Sequence, residues 1–218
     1  MKIAVLGTGM VGDAIGTRLV ELGHSVMMGS RTAGNEKAVA FVAKQNNGKA
    51  SAGTFADAAA FGEIIFNCTK GVEAINILNS AGAGNLDGKT LIDVTNPLDF
   101  SKGMPPTLSV CNTTSLAEEI QSAFPGIKVV KSLNTMWCGL MVNPGMLNGG
   151  DHNVFMSGND AGAKKQVGEI LKSFGWKENN IIDLGDIKTA RGTEMMLPVW
   201  LSIFTSTNNG AFNFKVIR

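Results

Sequence analysis

Three glycines, Gly7, Gly9 and Gly12, in the stretch LGTGMVGDAIG, have the spacing with the most definite chemistry in the chain. A short apolar run precedes them and a segment with helical periodicity follows. In that setting a G-x-G-x-x-G loop binds the pyrophosphate of a dinucleotide. Gly7 permits the tight turn, Gly9 lets the backbone approach the phosphates, and Gly12 allows close helix–strand packing. Met10 and Val11 open the helix, whose N-terminal N–H groups and partial positive charge suit an anion.

The second apolar run ends in Gly29-Ser30-Arg31-Thr32. A site for NAD places an acidic residue there, to accept from the ribose 2′-hydroxyl. Here a hydroxyl and a guanidinium stand in its place. Ser30 can donate to a 2′-phosphate, and Arg31 can make a charge-assisted, bidentate contact with it. Thr8 offers a further hydroxyl from the glycine loop, and Lys37 lies close enough in sequence to assist. The stretch therefore selects NADP over NAD.

These residues need a scaffold that brings strand ends together. Strands are predicted at residues 2–6, 25–28, 63–67, 90–94, 128–133, 153–157 and 181–184, with a weak one around Ala50. Helices are predicted between them, at 37–45, 54–60, 72–81 and 160–174, after the Ser115–Glu118 capping-box pattern, and at 187–206. Met10, Val11, Ala14, Ile15, Leu19 and Leu22 fall on one face of the first helix. Alternating strands and helices predict a Rossmann-type doubly wound, mostly parallel α/β sheet. Residues 1–148 read as the nucleotide-binding domain and residues 149–218 as a short α/β extension packed on the same core. Pro97, Pro105 and Pro106 mark a long loop.

Ligands in such a sheet lie outside the carboxyl ends of the strands. Three further endings therefore become candidates for the nicotinamide half of the site: Cys68-Thr69-Lys70, Thr95-Asn96-Pro97, and Asn134-Thr135 followed by Met136. No base is in view for Cys68, which reads as a buried thiol. His24 and His152 sit in turn-like stretches without a nameable partner. Met195, Met196, Leu197 and Trp200 form an apolar patch on the last helix, read as core or dimer contact, or as a ring pocket covered by Thr193 and Met196. No residue is assigned as an acid–base catalyst, and no set of metal ligands is recognised.

The chain has 218 residues, 44% of them hydrophobic and 17% charged, with a net charge of +1. That balance gives no field to attract nucleic acid or anionic membrane. Three widely separated cysteines suit a reducing, cytoplasmic setting better than a disulfide framework. The apolar run around Pro198 is too short to span a bilayer. The expected partners are a small-molecule electron acceptor and a second copy in a homodimer.

The sequence resembles the NADPH-dependent deazaflavin-coenzyme (F420) reductases and the related predicted dinucleotide-binding reductases. It is also similar to the cytosolic oxidoreductase domain of the six-transmembrane ferric reductases. The likeness runs through GTGMVGDAIGTRLVELGH and GSR, then DVTNPL, VVKSLNTMWCGLM and DLGDIKTARGTEMMLPVWLSIF. It implies an NADPH-binding fold and hydride transfer to a flavin (FMN or FAD) or deazaflavin ring, with Thr8, Ser30 and Arg31 matching the 2′-phosphate contacts. The deazaflavin reductases carry histidine where this chain has Asn134, and the ferric reductase domain carries asparagine. Two alternatives stay open: a non-catalytic NADP-binding module and a small carbonyl or imine reductase. For the second, only about 70 residues follow the expected boundary, few for a separate helical domain.

Overall fold

The computed structural model describes residues 1–217. Eight strands form one sheet: β1 (Lys2–Leu6), β2 (Ser25–Ser30), β3 (Ala50–Thr54), β4 (Ile64–Asn67), β5 (Thr90–Asp93), β8 (Lys128–Ser132), β9 (Val154–Gly158) and β10 (Ile181–Asp183). Their order across the sheet is β10-β9-β8-β5-β4-β1-β2-β3. Every neighbouring pair is parallel except β8 with β9. The remaining pair, β6 (Leu98–Asp99) and β7 (Thr107–Leu108), makes a small antiparallel hairpin.

The central strands are apolar throughout because both faces of the sheet are covered. Successive residues of β1 alternate sides: Ile3 and Val5 enter one core, Ala4 and Leu6 the other. The first core is closed by α1 (Met10–Glu21), α2 (Glu36–Lys44), α7 (Cys138–Val142) and α8 (Ala161–Phe174), through Ile15, Leu19, Phe41, Leu140, Val167 and Phe174. The second is closed by α3 (Phe55–Phe61), α4 (Ala74–Ala81), α5 (Ala83–Leu86), α6 (Leu116–Ala123) and α9 (Ala190–Met195), through Ala58, Leu78, Leu86, Ile120 and Ala190. Residues beyond 149 add β9 and β10 to the edge of this same sheet.

Local chemistry sets the helix starts. Asn35 caps α2 by accepting from the N–H groups of Lys37 and Ala38. Thr54 and Asp57 form a reciprocal capping box on α3. Asp160 caps α8 and Gly175 ends it in the left-handed conformation.

Several expectations need correction. The helix expected at 187–206 is three pieces: a 3₁₀ turn (Ile187–Thr189), α9, and α10 (Leu197–Thr207). Pro198 has no N–H to give, so it falls in the first turn of a new helix. The helix expected from residue 72 opens as a 3₁₀ turn, Gly71–Glu73, before α4. The long proline loop carries the β6–β7 hairpin. Met10, placed on the buried face of α1, is 79% exposed at its start. His152 is not an unpartnered turn residue: its ring lies 3.0 Å from the Pro144 carbonyl oxygen and 2.7 Å from the Asn213 amide, edge-on to Trp176. No helix among the described residues is long and apolar enough to cross a membrane.

Candidate functional site

A cleft of about 690 Å³ opens at the carboxyl edge of the sheet, where β1 sits between β4 and β2. Strand order reverses direction at this point, the place where open α/β sheets leave a crevice. Gly7, Thr8 and Gly9 form its floor. Ser30, Arg31, Asn35 and Lys37 line one side, and Cys68, Thr69, Lys70, Val72 and Glu73 the other.

Each glycine of the loop answers a different constraint. Gly7 has φ 113°, and a Cβ there would lie 2.6 Å from the Cys68 carbonyl oxygen. A Cβ on Gly12 would overlap the Gly7 carbonyl oxygen, so the helix packs directly on its own entry loop. A Cβ on Gly9 would meet nothing within 4 Å. Space at Gly9 is thus kept on the cleft side, although nothing in the protein requires glycine there. Gly9 is also the N-cap of α1 and has no side-chain hydrogen bond. Its carbonyl accepts first from Asp13 at 2.9 Å, which leaves the N–H groups of Met10, Val11 and Gly12 outside the helical ladder. An open glycine beneath unused first-turn N–H groups fits a phosphate-bearing ligand.

Charge on the cleft is arranged to match. Arg31 and Lys37 are exposed and make no ion pair among the described residues. Ser30 is buried, and its hydroxyl donates to the Thr32 carbonyl at 2.6 Å. Glu73, the carboxylate on the lining, stands on the β4 side. Thr69 donates to Asn67 Oδ1 at 2.7 Å, which holds the β4 turn in shape. Burial, with the Asp93 carboxylate nearby, pushes the Cys68 thiol far above the ordinary cysteine range.

The structure divides the expected residues into two groups. Gly7, Thr8, Gly9, Ser30, Arg31, Lys37, Cys68, Thr69 and Lys70 line the cleft. Met10, Val11 and Gly12 sit just behind its floor on α1. Thr95, Asn96, Asn134 and Thr135 lie further along the same edge, past β5 and β8. Gly71 joins the groups: a Cβ there would overlap the Asn96 carbonyl oxygen. Pro97 accepts from the Ser109 N–H at 2.8 Å and anchors the hairpin. Asn134 is buried, and its Nδ2 donates to Asn96 Oδ1 at 2.9 Å and to the Thr193 carbonyl at 3.2 Å. Asn96 Nδ2 returns a bond to the Asn134 carbonyl at 2.8 Å.

Asn35 belongs to the cleft, and an asparagine just ahead of a helical pattern was a readable cap signal. Phe55, Val72, Glu73 and Ile77 also line it, without a recognisable signal. Beneath the second group lies a charged array. Lys131 is fully buried, with its ammonium 2.8 Å from Asp93 and 2.8 Å from Glu194. Burial opposes that ammonium, but the two carboxylates outweigh it and hold its pKa above the ordinary lysine value. A lone lysine inside VVKSL was the available clue. Among the described residues, no group of three or more His, Cys, Asp or Glu is placed to hold a metal.

The family described as NADP oxidoreductase, coenzyme F420-dependent, matches residues 2–97. A crystal structure from Arthrobacter sp. FB24, described as a candidate F420-dependent NADP-reductase, is 50% identical, covers 100% of both chains and superposes with a TM-score of 0.95. The chain belongs to this family. Among other relatives, the chain is 30% identical over 209 residues to metalloreductase STEAP3 of Rattus norvegicus. That match takes in 91% of this chain and 38% of the relative, so the chain spans about two fifths of that protein's length. A reductive aminase from Aspergillus terreus, solved with NADPH and ethyl levulinate, shares the fold with a TM-score of 0.68 at 17% identity. The superposition covers 94% of this chain and 62% of the aminase.

Proposed function

We propose that this family member binds NADP(H) in the cleft and exchanges a hydride between it and the ring of a flavin-type acceptor, the deazaflavin coenzyme F420 being the first to test. The observation that carries the reading is the end of β2. Ser30 and Arg31 stand there in place of an acidic residue, across from an open Gly9 and unused first-turn N–H groups.

The chain's own contribution is binding and orientation. The Gly7–Gly9 loop and the start of α1 hold the pyrophosphate. Arg31 and Lys37 hold the 2′-phosphate, and Ser30 joins them once its hydroxyl turns from the Thr32 carbonyl. Strand order then leads from β4 through β5 to β8, so Asn96 and Asn134 stand where the nicotinamide end would lie. Bound NADPH would supply the hydride. Such a transfer needs close, aligned rings and little proton chemistry from the protein. The titratable groups beneath that end, Asp93, Lys131 and Glu194, are accordingly committed to one another.

The test is anaerobic NADPH oxidation with oxidised F420, FMN or ferric citrate as acceptor. Turnover with F420 well above the uncatalysed rate supports the reading. Tight NADPH binding without turnover on any acceptor would overturn it, in favour of a non-catalytic NADP-binding module.

A further inference from the structure

Lys131 lies beneath the ring end of the site, and its contacts converge on one side chain, that of Asn134. Its ammonium bonds Asp93 and Glu194 and donates to the Thr95 carbonyl at 2.5 Å. Thr95 precedes Asn96, and Glu194 follows Thr193. Those two neighbours, Asn96 and Thr193, are the residues that grip the Asn134 amide.

The grip has one orientation. A backbone carbonyl only accepts, so the Thr193 carbonyl fixes which end of the Asn134 amide faces it. The Asn134 carbonyl fixes the Asn96 amide in the same way. Both N–H bonds of Asn134 are thereby used inside the protein. Its Oδ1 has no partner among the described residues, yet it is not sealed from solvent. A second feature points to the same place. Leu133, buried and aliphatic, holds φ 63° directly before Asn134. Aliphatic residues seldom adopt that conformation, and it persists only where the surroundings enforce it.

We propose that Lys131 is a positioning residue: by holding Thr95 and Glu194 it sets Asn96 and Thr193 around Asn134, so that Asn134 offers a bound ring an acceptor oxygen and no donor. The ring edge that fits is one that presents an N–H. Two sources share that chemistry, the carboxamide of nicotinamide and the imide of a flavin-type ring. The proposal rests on the reading that NADP(H) occupies the cleft.

The test uses dissociation constants, with melting temperature measured alongside. Two probe pairs separate the sources: NADP⁺ against its 3-acetylpyridine analogue, which lacks the carboxamide –NH₂, and FMN against N3-methyl-FMN. The adenosine half alone, 2′,5′-ADP, serves as control. The parent should prefer the donor-bearing member of one pair by about fivefold, the worth of one hydrogen bond. Lys131→Met alone would leave two buried carboxylates unpaired, so it is combined with Asp93→Asn and Glu194→Gln. In that triple variant the preference should fall to within about twofold of unity, with 2′,5′-ADP binding unchanged. Glu194→Gln alone, which keeps the Lys131–Asp93 pair, should give an intermediate preference. A preference that survives intact in the folded variants overturns the proposal, as does a parent that shows none in either pair. Failure of the parent to bind 2′,5′-ADP overturns the NADP reading and this proposal with it.

Discussion

Arg191 closes a two-pronged ion pair on Glu118, with Nε at 2.8 Å and Nη2 at 2.6 Å from the carboxylate oxygens. It ties α9 to the first turn of α6, next to the Glu194 carboxylate that accepts from the Leu116 and Ala117 N–H groups. The Arg191 hydrogen bonds hold the Glu118 carboxyl below its ordinary pKa, against its partial burial and with help from Ser115. A depressed folded pKa adds stability above the unfolded value and loses it as pH falls through the folded one. The pair should therefore stabilise fully at neutral pH and fade below about pH 4.3, the ordinary glutamate value. Glu118→Gln should cost about 1.5 kcal/mol at neutral pH after allowance for solvent. That corresponds to a melting temperature lower by about 3–6 °C for a chain of this size. Parent and variant should converge in strong acid. A constant gap across that range would show that the pair's charge contributes nothing.

The same pair shows how far the sequence could be read. Ser115-Leu-Ala-Glu118 was legible as a helix start, and Ser115 Oγ does accept from the Glu118 N–H at 3.2 Å. The capping-box bond to the Ser115 backbone N–H is not formed; the Glu118 carboxylate accepts instead from the Ser115 hydroxyl at 2.8 Å and from Arg191, distant in sequence. The central strands and α1 were legible because their apolar periodicity is strong and their boundaries are marked by glycine. The break at Met196 was less so, since an apolar run continues through Pro198 and only the proline signals a new helix. In the site, the glycine loop and Ser30-Arg31 carry their chemistry in local spacing. Lys131, Asp93 and Glu194 acquire theirs from strand neighbours and from a helix remote in sequence, which no local pattern encodes.

Gly9 and Gly12 make opposite predictions from the same motif. Gly12→Ala puts a methyl group into the Gly7 carbonyl, so α1 must move off the loop. It should lower the melting temperature and abolish NADPH binding together. Gly9→Val meets open space in the protein. It should leave the melting temperature within about 2 °C of the parent, a surface-substitution effect. Its side chain would nonetheless fill the ground a pyrophosphate needs, and NADPH binding should be lost. Calorimetric titration of the folded Gly9→Val protein decides this, and retained affinity would place the phosphates elsewhere.

Substitutions at Asn134 test stability and acceptor choice together. Asn134→Ala withdraws N–H donors from the Asn96 side chain and the Thr193 carbonyl. Leaving buried acceptors unpaired costs about 2 kcal/mol, or about 4–8 °C in melting temperature. Asn134→His places a polar ring at the position where the deazaflavin reductases carry histidine. It should raise the rate with F420 relative to the rate with FMN. A lowered melting temperature with an unchanged rate ratio would assign Asn134 to bracing alone.

Arg31 should decide between the two nicotinamide nucleotides. It lies at the end of β2, exposed and outside any ion pair among the described residues, so its guanidinium is available to a ligand. It stabilises little of the fold, and Arg31→Ala should leave the melting temperature unchanged. A 2′-phosphate presents a fixed set of oxygens, which a planar guanidinium can meet with two parallel bonds. NADPH should bind the parent at least about tenfold more tightly than NADH, or ~1.4 kcal/mol. Arg31→Ala should remove most of that preference by weakening NADPH alone. Arg31→Lys should recover only part of it, because an ammonium meets the phosphate as a point charge. Lys37→Ala should have the smaller effect. Added salt should narrow the gap between the nucleotides, since the contact is exposed and therefore screened. Equal dissociation constants for NADPH and NADH in the parent would refute the assignment. So would an Arg31→Ala variant that loses both nucleotides equally, which would mark Arg31 as a support of the loop instead of a reader of the phosphate.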